Sequence, residues 1–355
     1  MSEDYVLKAE NLKKYFPLKK GFLETILSRE EQTVKAVDGI NLFVKKGEIL
    51  GLAGESGSGK TTTGRLLIRL LDPTEGSIHF RSQIIKNLDR KELQDLESKG
   101  VIGKDGVVEL SMLKEKDMRR LRREMQIIFQ DPFESLDPRM MIRDIVAEPL
   151  RVQKVCKTGE EELELVKKNL EDVELVPPEE FMYRFPHELS GGQRQRVAVA
   201  RALVLNPVFV VADEPVSMLD VSIRAEILNL MISLVEKRGS SVILITHDLA
   251  VTKHVCDRVS IMYLGKIMET ASSAAVIDTP LHPYTMALIA AVPVPDPNYK
   301  RTDVIGGEIP SPVDPPHGCR FHTRCPYAHE RCTMEEPQLV EVEKEHFVAC
   351  HLYTP

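Results

Sequence analysis

The chain has 355 residues, 43% of them hydrophobic, and a formal net charge of −7. That length exceeds one ordinary domain and suffices to bury a sizeable core, so a core with an appendage is expected. A negative balance without a long basic tract excludes the electrostatic footprint of a nucleic-acid-binding protein, and no run of about 18 apolar residues predicts a membrane-spanning helix. The start carries Glu3, Asp4, Lys8 and Glu10 rather than a secretory leader. Composition therefore reads as a soluble intracellular protein whose contact with any membrane comes through a partner.

Residues 1–80 show alternating strand patterns, interrupted by a polar stretch from Lys19 to Gln32. The apolar run Ile49 to Ala53 predicts a buried strand. It leads into Gly54-Glu55-Ser56-Gly57-Ser58-Gly59-Lys60-Thr61, followed by Thr62 and a helical pattern through Leu66, Leu67, Leu70 and Leu71. This is the G-x-x-x-x-G-K-[ST] phosphate loop in its strand–loop–helix context. Glycines let backbone N–H groups turn inward on phosphates, and the helix N-terminus adds a favourable dipole. Lys60 is placed to neutralise the β- and γ-phosphates of a nucleotide, and the Thr61 hydroxyl to ligate Mg²⁺.

From about Ser82 to Leu113 the chain is charged, with turn signals at Lys99-Gly100 and Lys104-Asp105-Gly106. Arg119, Arg120, Arg122 and Arg123 lie among acids and apolar residues, which predicts a solvated helix face. Residues from about Phe133 to Glu188 are rich in helix formers, notably Glu160 to Leu175. Arg194 to Leu205 reads as a helix whose start, Ser190-Gly191-Gly192, can present N–H groups and a hydroxyl to a phosphate. Val208 to Ala212 and Val242 to Thr246 are apolar runs of the kind that form parallel strands buried on both faces. Asp213 and Glu214 end the first of them, where open α/β sheets bind ligands. Asp213 suits a metal ligand, and Glu214 suits a general base directed at a water in line with the γ-phosphate.

Beyond Asp278 the composition shifts to a proline-rich stretch that includes Pro293, Pro295, Pro297, Pro310 and Pro312. Such density argues against a continued sheet and for an extended, ordered extension. Cys319, Cys325, Cys332 and Cys350 follow in C-x5-C-x6-C-x17-C spacing, while Cys156 and Cys256 are scattered and read as small apolar residues. Clustered thiols in an intracellular setting favour metal over disulfides. The short C-x2-C pairs typical of zinc do not occur, and Cys325-Pro326 resembles an iron–sulfur dipeptide. Iron–sulfur, zinc and free or disulfide-bonded thiols all remain open on spacing alone.

Leu189-Ser190-Gly191-Gly192-Gln193, standing between the phosphate loop and Asp213-Glu214, resembles the signature of ATP-binding-cassette (ABC) ATPases. Thr279-Pro280-Leu281-His282-Pro283-Tyr284-Thr285, Gly318-Cys319-Arg320-Phe321-His322 and Arg324-Cys325-Pro326-Tyr327-Ala328 look like the C-terminal extension of the oligopeptide/dipeptide importer branch. The resemblance covers nearly the whole chain apart from about 82–113. It implies an α/β P-loop NTPase core with an antiparallel β subdomain, a helical subdomain carrying the signature at about 131–190, and a small Cys-containing extension. The ATPase domain is thus expected at 1–277 and the extension at 278–355.

The resemblance further implies a role for Gln130, in Phe129-Gln130-Asp131-Pro132, near Mg²⁺ or the attacking water, and a γ-phosphate contact for His247. Ser217 to Asp220 matches the segment that crosses a dimer interface, although Met218 stands where alanine is usual. Phe16, ahead of its neighbour Tyr15, aligns with the adenine-stacking aromatic. Residues Gly54 to Thr62 would hold ATP, and Ser190, Gly191, Gly192 and Gln193 would cover ATP held by a partner. Gln193, the segment around Gln130 and Asp213-Glu214-Pro215-Val216-Ser217 look like the F-type subunit of the pair. The implied assembly is a heterodimer with a second related ATPase, two transmembrane permeases and an extracytoplasmic solute-binding protein, at the cytoplasmic face of the membrane. A [4Fe–4S] cluster on Cys319, Cys325, Cys332 and Cys350 is implied, with Zn²⁺ as the alternative. The cargo stays open, since members of this branch carry oligosaccharides as well as peptides. A cassette protein acting as an iron–sulfur sensor or redox-regulated protein, outside transport, is the competing expectation.

Overall fold

A computed structural model describes residues 5–18, 32–87, 90–103, 106–292 and 306–354. Glu3, Asp4, the polar stretch at 19–31, Lys104, Asp105, Pro293, Pro295 and Pro297 lie outside the described residues. The strands in chain order are β1 (Tyr5–Pro17), β2 (Thr33–Lys45), β3 (Ile49–Ala53), β4 (Glu75–Arg81), β5 (Val107–Glu109) and β6 (Met125–Ile128). They continue with β7 (Phe209–Asp213), β8 (Ser241–Thr246), β9 (Arg258–Tyr263), β10 (Lys266–Ser272), β11 (Val340–Glu343) and β12 (His346–Val348). The chain divides into two compact units: Met1–Leu7, Val44–Glu48 and His79–Ile245 form one, and Lys8–Phe43, Ile49–Ile78 and Thr246–Pro355 the other.

In the first unit β6, β7 and β8 pair in parallel, with Ile127 opposite Val211 and Val211 opposite Ile243. Phe209, Val210, Val211 and Ala212 have no exposed surface, as the unbroken apolar run requires for a strand covered on both faces. The helix Ile142–Val152 packs on the helices Gly159–Asp172 and Gly191–Leu203, burying Ile145, Val146, Leu150, Val166, Leu170 and Val197. Thr158 starts the Gly159–Asp172 helix by accepting from Glu161 N, and Glu160, Glu161 and Glu162 in its first turn complement the helix dipole. Helical structure thus fills much of the 131–190 interval.

The stretch after Ser82 contains more regular structure than its charge suggests. A helix spans Arg90–Ser98, and β5 pairs antiparallel with the end of β4, Phe80 opposite Val108. Val101, Ile102, Val108, Leu110 and Leu113 are buried. The Glu124 carboxylate fastens the entry, accepting from the Ser82 hydroxyl and from Gln83 N at 2.8 Å and Ile84 N at 3.1 Å.

In the second unit β1 lies between β2 and β4, while β3 pairs in parallel with β9 and β9 antiparallel with β10. Beyond β10 the sheet continues: β12 pairs with β10, Thr270 opposite Phe347, and β11 with β12. The expectation that the sheet would stop is therefore corrected. Among the described residues, the proline-bearing segment 306–321 is without strands, but the chain past Pro337 is free of proline up to Thr354 and adds β12 and, outside it, the edge strand β11. Tyr263, Tyr284 and Phe321 are fully buried and mutually packed, with ring centroids 4.7 to 5.4 Å apart.

Candidate functional site

In the second unit β3 runs directly into the phosphate loop, and the helix Lys60–Leu67 leaves it. Gly54 sits at φ +147° and Gly59 at φ +103°. A Cβ at either would lie 2.2 Å from a carbonyl oxygen, of Met262 and Ala36 respectively. Only glycine fits there, for reasons of both φ and space. Gly59 is the helix N-cap, and no acid stands in the first turn, so the N–H groups of Lys60, Thr61 and Thr62 face an approaching anion without local repulsion. Lys60, 5% exposed, donates from Nζ to the carbonyls of Gly54 and Glu55 at 2.8 Å each and to Ser58 Oγ at 3.4 Å. The ammonium is held over the loop's concave side, where phosphate oxygens can replace those weaker acceptors. Ser58 is buried, while Ser56 and Gly57 form an exposed crest. The Glu55 side chain turns to Arg324, whose guanidinium donates to both its carboxylate oxygens at 2.7 and 3.0 Å.

His247 directly follows β8 and is exposed. With Gly54, Asp248 and Leu249 it lines a cavity of about 320 Å³, walled on the far side by Leu288, Ala291 and Val292. The structure thus brings His247 to the entrance of the phosphate loop, and the apolar wall comes from the helix Pro283–Ala290 and the two residues after it, which sequence reasoning had not placed there. The two aromatic candidates of β1 separate by environment. Tyr15 donates its hydroxyl to Asp38, and burial together with that bond raises its pKa. Phe16 is half-buried, with Lys14 Nζ 5.2 Å from its ring centroid.

In the first unit Asp213 ends β7 and is 2% exposed. Glu214 follows at φ +46°, a left-handed conformation uncommon for a residue with a side chain, and its N–H donates to Ile245 O at 3.0 Å. Gln130 Nε2 donates to Glu214 Oε2 at 3.2 Å. Two residues 84 positions apart in sequence are thereby brought into contact. Asp131 caps the short helix Pro132–Ser135, and two arginines of the Gly191–Leu203 helix grip this segment. Arg194 lies over the Phe133 ring at 3.9 Å, and Arg201 donates to Ser135 O at 2.7 Å. Sequence reasoning missed both arginines; their common helix face was the available signal.

Ser190 is the N-cap of that helix. Its hydroxyl accepts from Gln193 N at 3.3 Å, and Gln193 Oε1 accepts from Ser190 N at 3.0 Å, a reciprocal capping box. Gly191 and Gly192 occupy the first two helical positions, and Ser190 is exposed. Asp220 stands at the N-cap of the Val221–Arg238 helix without a side-chain cap bond, and Arg224 fixes the preceding turn by donating to Leu219 O at 2.7 Å and Ser217 O at 3.2 Å. Met218 is 57% exposed.

Cys319, Cys332 and Cys350 are buried, Cys325 is half-buried, and all four are free thiols. Burial pushes the Cys319 thiol up to about 12, and the neighbouring Cys350, Cys332 and Cys325 add to the effect. Burial likewise raises Cys350 to about 11, with Cys325 and Cys332 contributing. The four sulfurs are thus electrostatic neighbours in an environment that opposes bare thiolates. Among the described residues, however, no group of three or more His, Cys, Asp or Glu side chains is arranged to hold a metal ion. That holds for a single zinc ion and for an iron–sulfur cluster alike. In chemistry four thiols are the donor set of an iron–sulfur cluster and equally of a four-cysteine zinc site.

A family described as "ABC transporter" matches residues 37–217, and one described as "Oligopeptide/dipeptide transporter, C-terminal region" matches residues 268–332. The oligopeptide transport ATP-binding protein AppF of Bacillus subtilis (strain 168) is 45% identical over 356 residues, covering 99% of each chain. The chain belongs to the ATP-binding subunits of ABC transporters, in the oligopeptide importer branch. Among solved structures, the dimeric post-hydrolysis state of the ATP-binding cassette MJ0796 bound to ADP and Pi has a TM-score of 0.59 at 27% identity, covering 75% of this chain and 98% of that one. The cassette cbiO1 of Clostridium perfringens, part of the transporter complex cbiONQ, also has a TM-score of 0.59, at 25% identity, covering 78% of this chain and 92% of that one. These matches give an ABC ATPase with a P-loop NTPase core. They do not favour a cassette protein outside transport.

Proposed function

We propose that this subunit hydrolyses Mg-ATP to power the import of peptides through a membrane ABC transporter. The observation that carries the reading is the Gln130–Glu214 contact at the end of β7 in a chain that also keeps a complete phosphate loop. Lys60 and the N–H groups of Gly57 to Thr62 hold the phosphates, while Thr61, Asp213 and Gln130 serve Mg²⁺. Glu214 takes the proton of the attacking water, and Gln130 orients that carboxylate and the water. His247 contacts the γ-phosphate, and Phe16 stacks on adenine. Ser190 to Gln193, with Asp220, cover ATP held by a second, related ATPase, in line with the dimeric state named for the MJ0796 cassette. Among the described residues no helix is long and apolar enough to cross a membrane, which supports peripheral docking on two permeases at the cytoplasmic face. A solute-binding protein delivers the peptide from outside. The ATPase domain spans 1–277, and the extension 278–355.

We further assign Cys319, Cys325, Cys332 and Cys350 to one [4Fe–4S] cluster. Such a group supplies a positively charged core that bound thiolates need at buried positions, and it cross-links loops whose own apolar burial is small. Its role is structural, because the hydrolytic step has no redox requirement. Affinity purification of the tagged subunit under anaerobic conditions tests the assembly and the cluster together. Recovery of a distinct second ATPase, two permeases and about four irons per chain is expected. A homodimer with full transport activity contradicts the pairing, and stoichiometric zinc without iron contradicts the cluster.

A further inference from the structure

The phosphate loop is held at its second residue by two side chains from the C-terminal part of the sequence. The N–H of Glu55 donates to Tyr284 Oη at 2.9 Å, and the Glu55 carboxylate receives the forked guanidinium of Arg324 at 2.7 and 3.0 Å. Glu55 O meanwhile accepts from Lys60 Nζ at 2.8 Å. Backbone donor, backbone acceptor and side chain of one loop residue are all engaged. The grip is rigid on the far side. Tyr284 has no exposed surface, the Arg324 side chain is 5% exposed, and its guanidinium lies 5.7 and 5.9 Å from the ring centroids of Tyr263 and Phe321. A bidentate arginine–carboxylate pair in such a setting fixes direction as well as distance.

We infer that Arg324 and Tyr284 are positioning residues for ATP: they fix Glu55, and through it the phosphate loop and Lys60. Charge explains why the pairing matters for nucleotide. An unpaired Glu55 carboxylate on the same residue as the carbonyl that Lys60 already touches competes with phosphate for the ammonium and repels a triphosphate. Arg324 turns that carboxylate away and neutralises it. The inference rests on the ATPase reading, and it is independent of what the cysteines bind.

A double-mutant cycle in the purified transporter complex tests it, using Arg324→Gln, Glu55→Gln, the double variant and Tyr284→Phe. Steady-state KM and kcat for ATP and equilibrium binding of a fluorescent ATP analogue are the readouts. Arg324→Gln is expected to raise KM and the dissociation constant about tenfold with kcat changed less than about twofold, the signature of lost nucleotide binding rather than lost chemistry. Adding Glu55→Gln to it is expected to recover most of the affinity, since the stray carboxylate is gone, and Glu55→Gln alone to cost about threefold or less. Tyr284→Phe is expected to raise KM about threefold. Arg324→Lys, which keeps charge and loses the fork, falls between wild type and Arg324→Gln; it replaces Arg324→Gln in the cycle if that variant does not assemble. Wild-type affinity in an assembled Arg324 variant, or the same loss with and without the Glu55 carboxylate, overturns the inference. A wild-type complex that hydrolyses no ATP sinks the functional reading instead.

Discussion

Acid should destabilise this protein through one imidazole. His282 is 1% exposed and opens the helix Pro283–Ala290, its ring Nδ1 accepting from Tyr284 N at 3.0 Å while its backbone N–H donates to the Glu269 carboxylate. Burial lowers its pKa from 6.5 to about 3. Between those values the unfolded chain carries a proton on this ring and the folded chain does not. Stability is therefore fully present above about pH 6.5, falls as pH drops through the window, and levels off below about 3. At about 1.36 kcal/mol per pH unit, lowering the pH to about 5 removes on the order of 2 kcal/mol. Protonation also removes the acceptor that caps the helix bearing Tyr284. His282→Asn keeps a capping oxygen and does not titrate, so its packing loss is constant with pH. Urea unfolding of both proteins at pH 7.5, 6 and 5 should show the gap between them shrinking by about 2 kcal/mol toward acid. Parallel pH profiles refute the reasoning.

Gly59→Ala puts a Cβ 2.2 Å from Ala36 O at φ +103°, so the loop must move; fluorescent-nucleotide titration should show binding lost, with the melting temperature showing whether the fold survives. Arg238→Met removes a half-buried guanidinium that donates to Leu203 O, to Asn169 Oδ1 at 3.1 Å and to Asp172 Oδ2 at 2.8 Å, and chemical denaturation should register a loss of about 2 kcal/mol.

What the sequence disclosed follows from which constraints are local. The phosphate loop was legible because Gly54, Gly59 and Lys60 answer a backbone geometry that eight consecutive residues dictate. The runs Ile49–Ala53, Phe209–Asp213 and Ser241–Thr246 were legible because strands covered on both faces need unbroken apolar sequence. Arg90–Ser98 was hidden, since its residues form a charged helix that lacks an apolar run. β11 was hidden too: it alternates half-buried and exposed residues only four positions long, just past a proline-rich stretch. The Arg324–Glu55 pair spans 269 positions, and no periodicity or spacing rule reaches that far. The same holds for the cysteines, whose spacing shows that they are clustered but not how far apart their sulfurs stand.

The central claim is that Glu214 drives ATP hydrolysis that is coupled to peptide movement. Its most direct test is a transporter complex reconstituted in proteoliposomes with solute-binding protein and labelled peptide, compared with the same complex carrying Glu214→Gln. Wild type should hydrolyse Mg-ATP and accumulate peptide, while Glu214→Gln should bind ATP and turn over more slowly by on the order of a hundredfold or more, with uptake falling in step. Near-normal turnover and uptake in the Glu214→Gln complex would contradict the account.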